Sequence, residues 1–297
     1  MPNLAVTKNY NPIEANNAHI ATAVNFKKLQ GFFTASSALV LAGYFVSEEK
    51  DSIALLLLLW CNIFGVFLVY RLNDIIDQDK DLSFNLRHFF SYPIHVIMVL
   101  QFFLVTLPLV LIYVNPFVFI VLGISAIVGV LYSITFQFGD YTFRLKNIFL
   151  VKNILIGVIW GALILIGAGS FEGNVIPILF AFASTQVLIG GIIRDVPDIE
   201  KDYFAGVNSL PVIIGIPATI IFCHALNLGF MSYCFISGQP GFMLFAVSIP
   251  TIWRLINLIL LARDPYEPRW SQSMNLFTCA LIFVSCLIIA EHDYLFF

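Results

Sequence analysis

The chain has 297 residues, 60% hydrophobic and 11% charged, with a formal net charge of −3 and a mean hydropathy of +0.91. A soluble domain is roughly 45–50% apolar and about 25% charged, so this composition excludes one. It also excludes a nucleic-acid binder, because no basic stripe is present to meet a phosphate backbone.

Residues 1–29 read as a polar N-terminal segment without the charged-then-apolar pattern of a cleaved signal, and residues 30–297 as one membrane domain. Apolar runs of about 20 residues recur from there to the C-terminus. They lack the period-two alternation of a barrel strand, so they predict helices. The expected fold is an all-α polytopic membrane protein, with nine transmembrane helices bundled around a central cavity under a cytoplasmic cap. The predicted spans are 30–46, 52–71, 91–113, 117–138, 148–168, 175–193, 212–236, 242–261 and 272–290. With the N-terminus in the cytoplasm, 14 of the 15 Lys and Arg fall on inner segments or inner helix ends, Arg71 and Arg254 among them. Only Lys50 falls outside, and an odd span count puts the C-terminus on the opposite side. The five cysteines sit inside apolar runs without a C-x-x-C pair, and read as small buried hydrophobes.

Eight of the 18 acids gather in two clusters. The first is Asn73-Asp74-Ile-Ile-Asp77-Gln-Asp79-Lys-Asp81; the second is Asp195-Val-Pro197-Asp198-Ile-Glu200-Lys-Asp202. Four predicted spans separate them, an even number, so both emerge on the same side of the membrane. On a helix, Asp74, Asp77 and Asp81 share a face, and Asp195, Asp198 and Asp202 repeat that spacing. A row of carboxylates repels itself unless cations lie between. Oxygen-only ligands favour Mg²⁺ or Ca²⁺, and Mg²⁺ typically bridges a few carboxylates to substrate phosphates. Asn73 adds a neutral ligand. Pro197 predicts that the second row begins at a helix break or first turn.

Both clusters resemble signatures of the UbiA superfamily of intramembrane prenyltransferases. The first matches its N-D-x-x-D-x-x-x-D motif. The second, continuing through Gly206, Ser209, Leu210, Pro211 and Gly215, is similar to its second motif. The resemblance implies a lipid-open cavity in which two Mg²⁺ ions hold an isoprenyl diphosphate. The metal ligands would be Asn73, Asp74, Asp77, Asp81, Asp195, Asp198 and Asp202. Tyr132, Ser133 and Lys146 match family positions that contact the diphosphate, and Lys152 and Arg194 are the nearest further cations by topology. The residues expected to carry catalysis are Asp74, Asp77, Asp198 and Lys146. The chain departs from the family after Asp81, where Leu82–Phe89 is shorter and lacks an Arg-Pro pair; Arg87 stands nearest that arginine.

The expected reaction is Mg²⁺-dependent transfer of an isoprenyl group from a prenyl diphosphate to an acceptor, aromatic by expectation, inside the lipid bilayer. A membrane terpene cyclase acting on the same donor without an acceptor is one alternative. A cation transporter is another, weakened because acids cluster at one face and the span interiors hold almost no ionisable residues.

Overall fold

The structure is a computed structural model that describes residues 26–47, 51–78, 93–138, 141–204, 206–265 and 269–295. Helix α1 spans Phe26–Val46 and α2 Ser52–Gln78. Helix α3 runs through Pro93–Gln101, a π-helical turn Phe102–Thr106, and Leu107–Tyr113. Helix α4 is Pro116–Ser133, followed by strands β1 (Thr135–Phe138) and β2 (Tyr141–Arg144) and a 3-10 turn, Leu145–Asn147. Then come α5 (Val151–Ala168), α6 (Val175–Asp195), α7 (Ile199–Phe204), α8 (Leu210–Ile214), α9 (Ile216–Ile236), α10 (Gly241–Arg263) and α11 (Arg269–Leu295). Among the described residues, eight helices are long and apolar enough to cross a membrane, and α11 carries a shorter apolar stretch, Asn275–Glu291. The chain is an integral, multi-pass membrane protein.

Helix α5 is the centre of the bundle, and its glycines are the reason. In lipid, helices gain little from burying apolar area against one another, so close approach of small residues drives their association. A Cβ at Gly157 would lie 2.7 Å from the Ser184 carbonyl, and one at Gly161 would lie 2.9 Å from the Phe180 carbonyl. Helix α6 therefore rides directly on α5. On the other side, a Cβ at Gly167 would strike the Val40 carbonyl, and one at Gly43 would strike that of Ile164. Helices α1 and α5 are thus locked by reciprocal glycines. Leu39, Ile164, Leu179, Phe182 and Ile282 fill the core that α1, α5, α6, α10 and α11 share. A second core around Cys61, Phe64, Phe102, Val110 and Val118 joins α2, α3 and α4 to Val40 and Ile166. All five cysteines are buried and free.

Helix α10 contains Pro250, which has no N–H to give the carbonyl of Ala246. Ser285 Oγ of α11 donates to that carbonyl at 2.6 Å from a fully buried position. Replacing Ser285 by alanine would orphan the carbonyl in a dry interface. The expected cost is about 1–3 kcal/mol, read as an earlier unfolding midpoint in a denaturing-detergent titration. An unshifted midpoint would show that the helix pair does not depend on this bond.

Four features depart from the sequence expectation. Helix α2 continues past 71 to Gln78, carrying Asn73, Asp74 and Asp77 on its last turns. Helix α4 stops at Ser133 rather than 138, because Thr135-Phe-Gln-Phe and Tyr141-Thr-Phe-Arg are β-branched and aromatic and pair as a hairpin, Phe138 opposite Tyr141. Arg144 Nη2 then donates to the Ser133 carbonyl at 2.9 Å, satisfying a helix-end acceptor. The run expected from 212 breaks at Gly215, whose φ of 78° is left-handed, with a proline in the first turn of each flanking helix. The π turn in α3 has no signature in its composition.

Candidate active site

Helix α6 ends at Asp195 because Pro197, two residues on, cannot continue its hydrogen-bond ladder. The second acidic row is therefore bent rather than laid along one helix face. Asp195 closes α6, Asp198 lies in the turn, and Asp202 sits on α7 with its N–H bonded to the Asp198 carbonyl at 2.8 Å. Their environments differ sharply. Asp195 is 5% exposed, Asp198 is exposed, and Asp202 is half-buried with an Oδ2 that is itself buried and has no donor among the described residues. Asp202 lies within repulsive range of Asp195.

A buried carboxylate needs donors, and α5 supplies them from its first turn. Lys152 Nζ pairs with Asp195 Oδ1, and Asn153 Nδ2 donates to Oδ2 at 3.0 Å. The start of α5 is fixed by Leu150, whose φ of 59° makes it the one described non-glycine residue in the left-handed region. That conformation costs roughly 1–2 kcal/mol for a residue with a side chain. Packing of the Leu150 side chain against the cluster around Ile189, Ile192 and Ile193 offsets it and seats the turn on α6. Gly191 leaves room for Asn153: a Cβ there would come within 2.8 Å of Asn153 Oδ1.

The first row rides on the end of α2. Asn73 is half-buried. Asp74 and Asp77 lie on the last helical turns, but their side chains fall outside the described residues, as does Asp81 altogether. Arg87 also lies outside them. Two residues before Asn73, buried Arg71 approaches buried His95 of α3, Nε to Nε2 at 3.4 Å. Tyr70 stacks on Phe32 with ring centroids 4.0 Å apart, and Phe32 meets Trp160 of α5 edge-on at 6.2 Å.

One covalent unit ties the two rows to the same end of the bundle. The last turns of α4 touch the last turns of α2, where a Cβ on Gly129 would lie 2.8 Å from Val69 Cγ2. The hairpin and 3-10 turn then lead into α5, whose first turn holds Asp195. Along this unit, Tyr132 is half-buried and Ser133 is buried with its Oγ donating to the Gly129 carbonyl at 3.1 Å. Lys146 lies on the 3-10 turn, its side chain outside the described set. Arg194 is exposed. Among the described residues, no three His, Cys, Asp or Glu side chains converge as a metal site; the first-row acids lie outside that set.

Two features escaped sequence reasoning. Asn153 had no signal beyond adjacency to Lys152. Arg254, counted there with the inner anchors, is 1% exposed between α6, α10 and α11. It donates to Gln186 Oε1 at 3.3 Å, to the Gln186 carbonyl at 2.8 Å and to Asn275 Oδ1 at 2.9 Å. Asn275 in turn donates to the Gly190 carbonyl at 3.0 Å, and Gln186 to Asn227 Oδ1 at 2.8 Å.

Comparison with known proteins agrees with this architecture. A digeranylgeranylglyceryl phosphate synthase of Natronomonas pharaonis is 32% identical over 77 residues, which is 25% of this chain and 28% of the relative's length. A UbiA homolog from Archaeoglobus fulgidus bound to GPP and Mg²⁺ has the same fold, with a TM-score of 0.65 at 15% identity over 89% of this chain and 97% of that one. A structure concerned with digeranylgeranylglyceryl phosphate synthase in membranes superposes with a TM-score of 0.57 at 21% identity, over 89% and 96% of the two chains. A sequence model of the UbiA prenyltransferase family matches residues 32–287. With that match running through nearly every helix described above, the chain belongs to the UbiA prenyltransferase family.

Proposed function

We propose that the protein transfers an isoprenyl group from a prenyl diphosphate to an acceptor within the membrane, using Mg²⁺, two ions per site. The observation that carries this reading is the polar cluster at the junction of α5 and α6, in a chain that matches the family from residue 32 to 287. Its donor set fits a hard cation. Asp195 is buried, Asp202 Oδ2 is a buried acceptor without a donor among the described residues, and the candidate ligand atoms are oxygen. The residues that would hold the metal are Asn73, Asp74, Asp77 and Asp81 from the first row, and Asp195, Asp198 and Asp202 from the second. Mg²⁺, when bound, supplies Lewis-acid charge that favours departure of the diphosphate.

The chain's own groups do the rest. Lys146, Lys152 and Arg194 bring positive charge to the diphosphate, with Tyr132 and Ser133 at the end of α4 beside them. Asn153 keeps Asp195 oriented. The Phe32, Tyr70 and Trp160 rings, with Tyr70 one turn before Asn73 on α2, would keep water from an allylic cation and stabilise it by roughly 0.5–2 kcal/mol each. The acidic end and the N-terminus face the cytoplasm, by the distribution of Lys and Arg, in a single membrane domain that begins near residue 30.

The aromatic acceptor expected from the sequence has a rival. Two of the similar proteins concern digeranylgeranylglyceryl phosphate synthase, whose product is a prenylated glyceryl phosphate. That favours the hydroxyl of a glycerophosphate lipid as a second candidate acceptor. Incubating the purified protein with Mg²⁺, labelled prenyl diphosphates, and aromatic or glyceryl phosphate acceptors separates these readings by the lipid-extracted product. The expected result is an acceptor-dependent prenylated product that disappears with EDTA. A cyclic terpene formed without acceptor would reassign the enzyme as a cyclase. Mg²⁺ flux into proteoliposomes without prenyl turnover would make it a transporter.

A further inference from the structure

Among the described residues, Asp195 is the acid at this site with both oxygens engaged by neighbouring side chains, Oδ1 by Lys152 and Oδ2 by Asn153. The two donors are not equivalent. Asn153 is 2% exposed, braced against Gly191, and neutral. Lys152 is a half-buried cation on a flexible stem, 21% exposed along its side chain. A divalent ion bound at Asp195 would need the oxygen that the Lys152 ammonium holds. Two cations cannot share that oxygen in a low-dielectric pocket without strong repulsion. Beside it, Asp202 Oδ2 and Asn153 Oδ1 are buried acceptors without a donor among the described residues.

From this geometry we infer that Lys152 is an exchangeable counter-ion: it competes with the divalent cation for Asp195 Oδ1 and passes to a phosphate oxygen when the diphosphate arrives. Asn153 is the fixed half of the clamp. It holds Oδ2 throughout, so Asp195 stays aimed while its other oxygen changes partner. The exchange couples the two ligands. The metal binds weakly alone because it must displace the lysine, and more tightly once the diphosphate gives the lysine a new partner; by reciprocity the diphosphate gains from the metal equally. This inference rests on the prenyl-diphosphate reading above.

The test is direct Mn²⁺ binding by the full chain in detergent, followed by electron paramagnetic resonance with and without inorganic pyrophosphate. Wild-type protein is expected to bind Mn²⁺ more tightly with pyrophosphate than without. Lys152→Met is expected to bind Mn²⁺ alone about tenfold more tightly than wild type, and to lose most of the pyrophosphate enhancement. Lys152→Arg, which keeps the charge, should behave like wild type. In an Asp195→Asn background the Lys152→Met step should give no tightening, because the carboxylate charge that both cations contest is gone. Lys152→Met binding Mn²⁺ no tighter than wild type overturns the exchange, as does tightening that persists beside Asp195→Asn. Should Lys152→Met fail to fold, reductive methylation of Lys152 in wild-type protein gives the answer. Labelling that rises with Mn²⁺ supports release of the lysine, and unchanged labelling overturns it. Wild-type protein that binds no Mn²⁺ even with pyrophosphate is a different failure, one that removes the metal-dependent function itself.

Discussion

Asp198→Ala is expected to lower prenyl transfer by roughly 10²–10³-fold or more, while the protein remains folded in detergent. The two halves of that expectation come from the same observation. Asp198 is exposed in the turn between α6 and α7, its carbonyl rather than its carboxylate being used to hold α7. A side chain so placed contributes little to the fold, and surface substitutions of this kind shift stability by about 0.5 kcal/mol or less. Its carboxylate is bonded to no side chain among the described residues, as its proposed role as a metal ligand requires. Asp77→Ala, on the last turn of α2, should give a loss of the same order from the opposite row. Turnover by purified variants at saturating Mg²⁺, alongside unfolding midpoints, checks both. Full Mg²⁺-dependent activity in both variants would remove the two-row metal site.

Arg254→Ala is expected to cost about 3–5 kcal/mol of stability. Removing the side chain orphans Gln186 Oε1 and Asn275 Oδ1, takes the second donor from the Gln186 carbonyl, and leaves a cavity where a fully buried residue stood. Among the described residues no carboxylate pairs with the guanidinium; amides and one carbonyl carry it. The same amides grip α6 at Gln186 and Gly190. Gly190 lies five residues before Asp195, about 7.5 Å along the helix axis. Loss of the grip should therefore loosen the end of α6 and reduce turnover too. A denaturing-detergent titration reads the stability term, and a midpoint within about 0.5 kcal/mol of wild type would show that the network is dispensable.

The membrane class, the acids and the break at Pro197 were legible because each is written in contiguous residues. Long apolar runs define spans, and a proline states its own incompatibility with a helix. The polar network was not legible for the opposite reason. Gln186, Asn227, Arg254 and Asn275 are scattered over 90 residues on four helices, each isolated in an apolar run. Only packing brings them together, and Arg254 read naturally as an anchor near an inner helix end. The pairing of Lys152 with Asp195 falls between these cases. Counting spans put both at one end of the bundle, but contact depends on how closely α5 and α6 approach. The hairpin was hidden by its own composition, since Phe and Tyr suit a membrane helix and a strand equally well.

The glycine seam of α5 has a consequence for how this sequence can drift. At Gly157, Gly161 and Gly167 even one added methyl group meets backbone of a neighbouring helix, so no compensating side-chain change can make room. Ile154 and Val158, one residue or a few away on the same helix, are exposed and can exchange with any lipid-compatible residue. Mutational tolerance along α5 should therefore alternate with helical period, from intolerance of a single carbon to near indifference. A saturation scan of this helix would trace its orientation in the bundle without reference to the chemistry at its end.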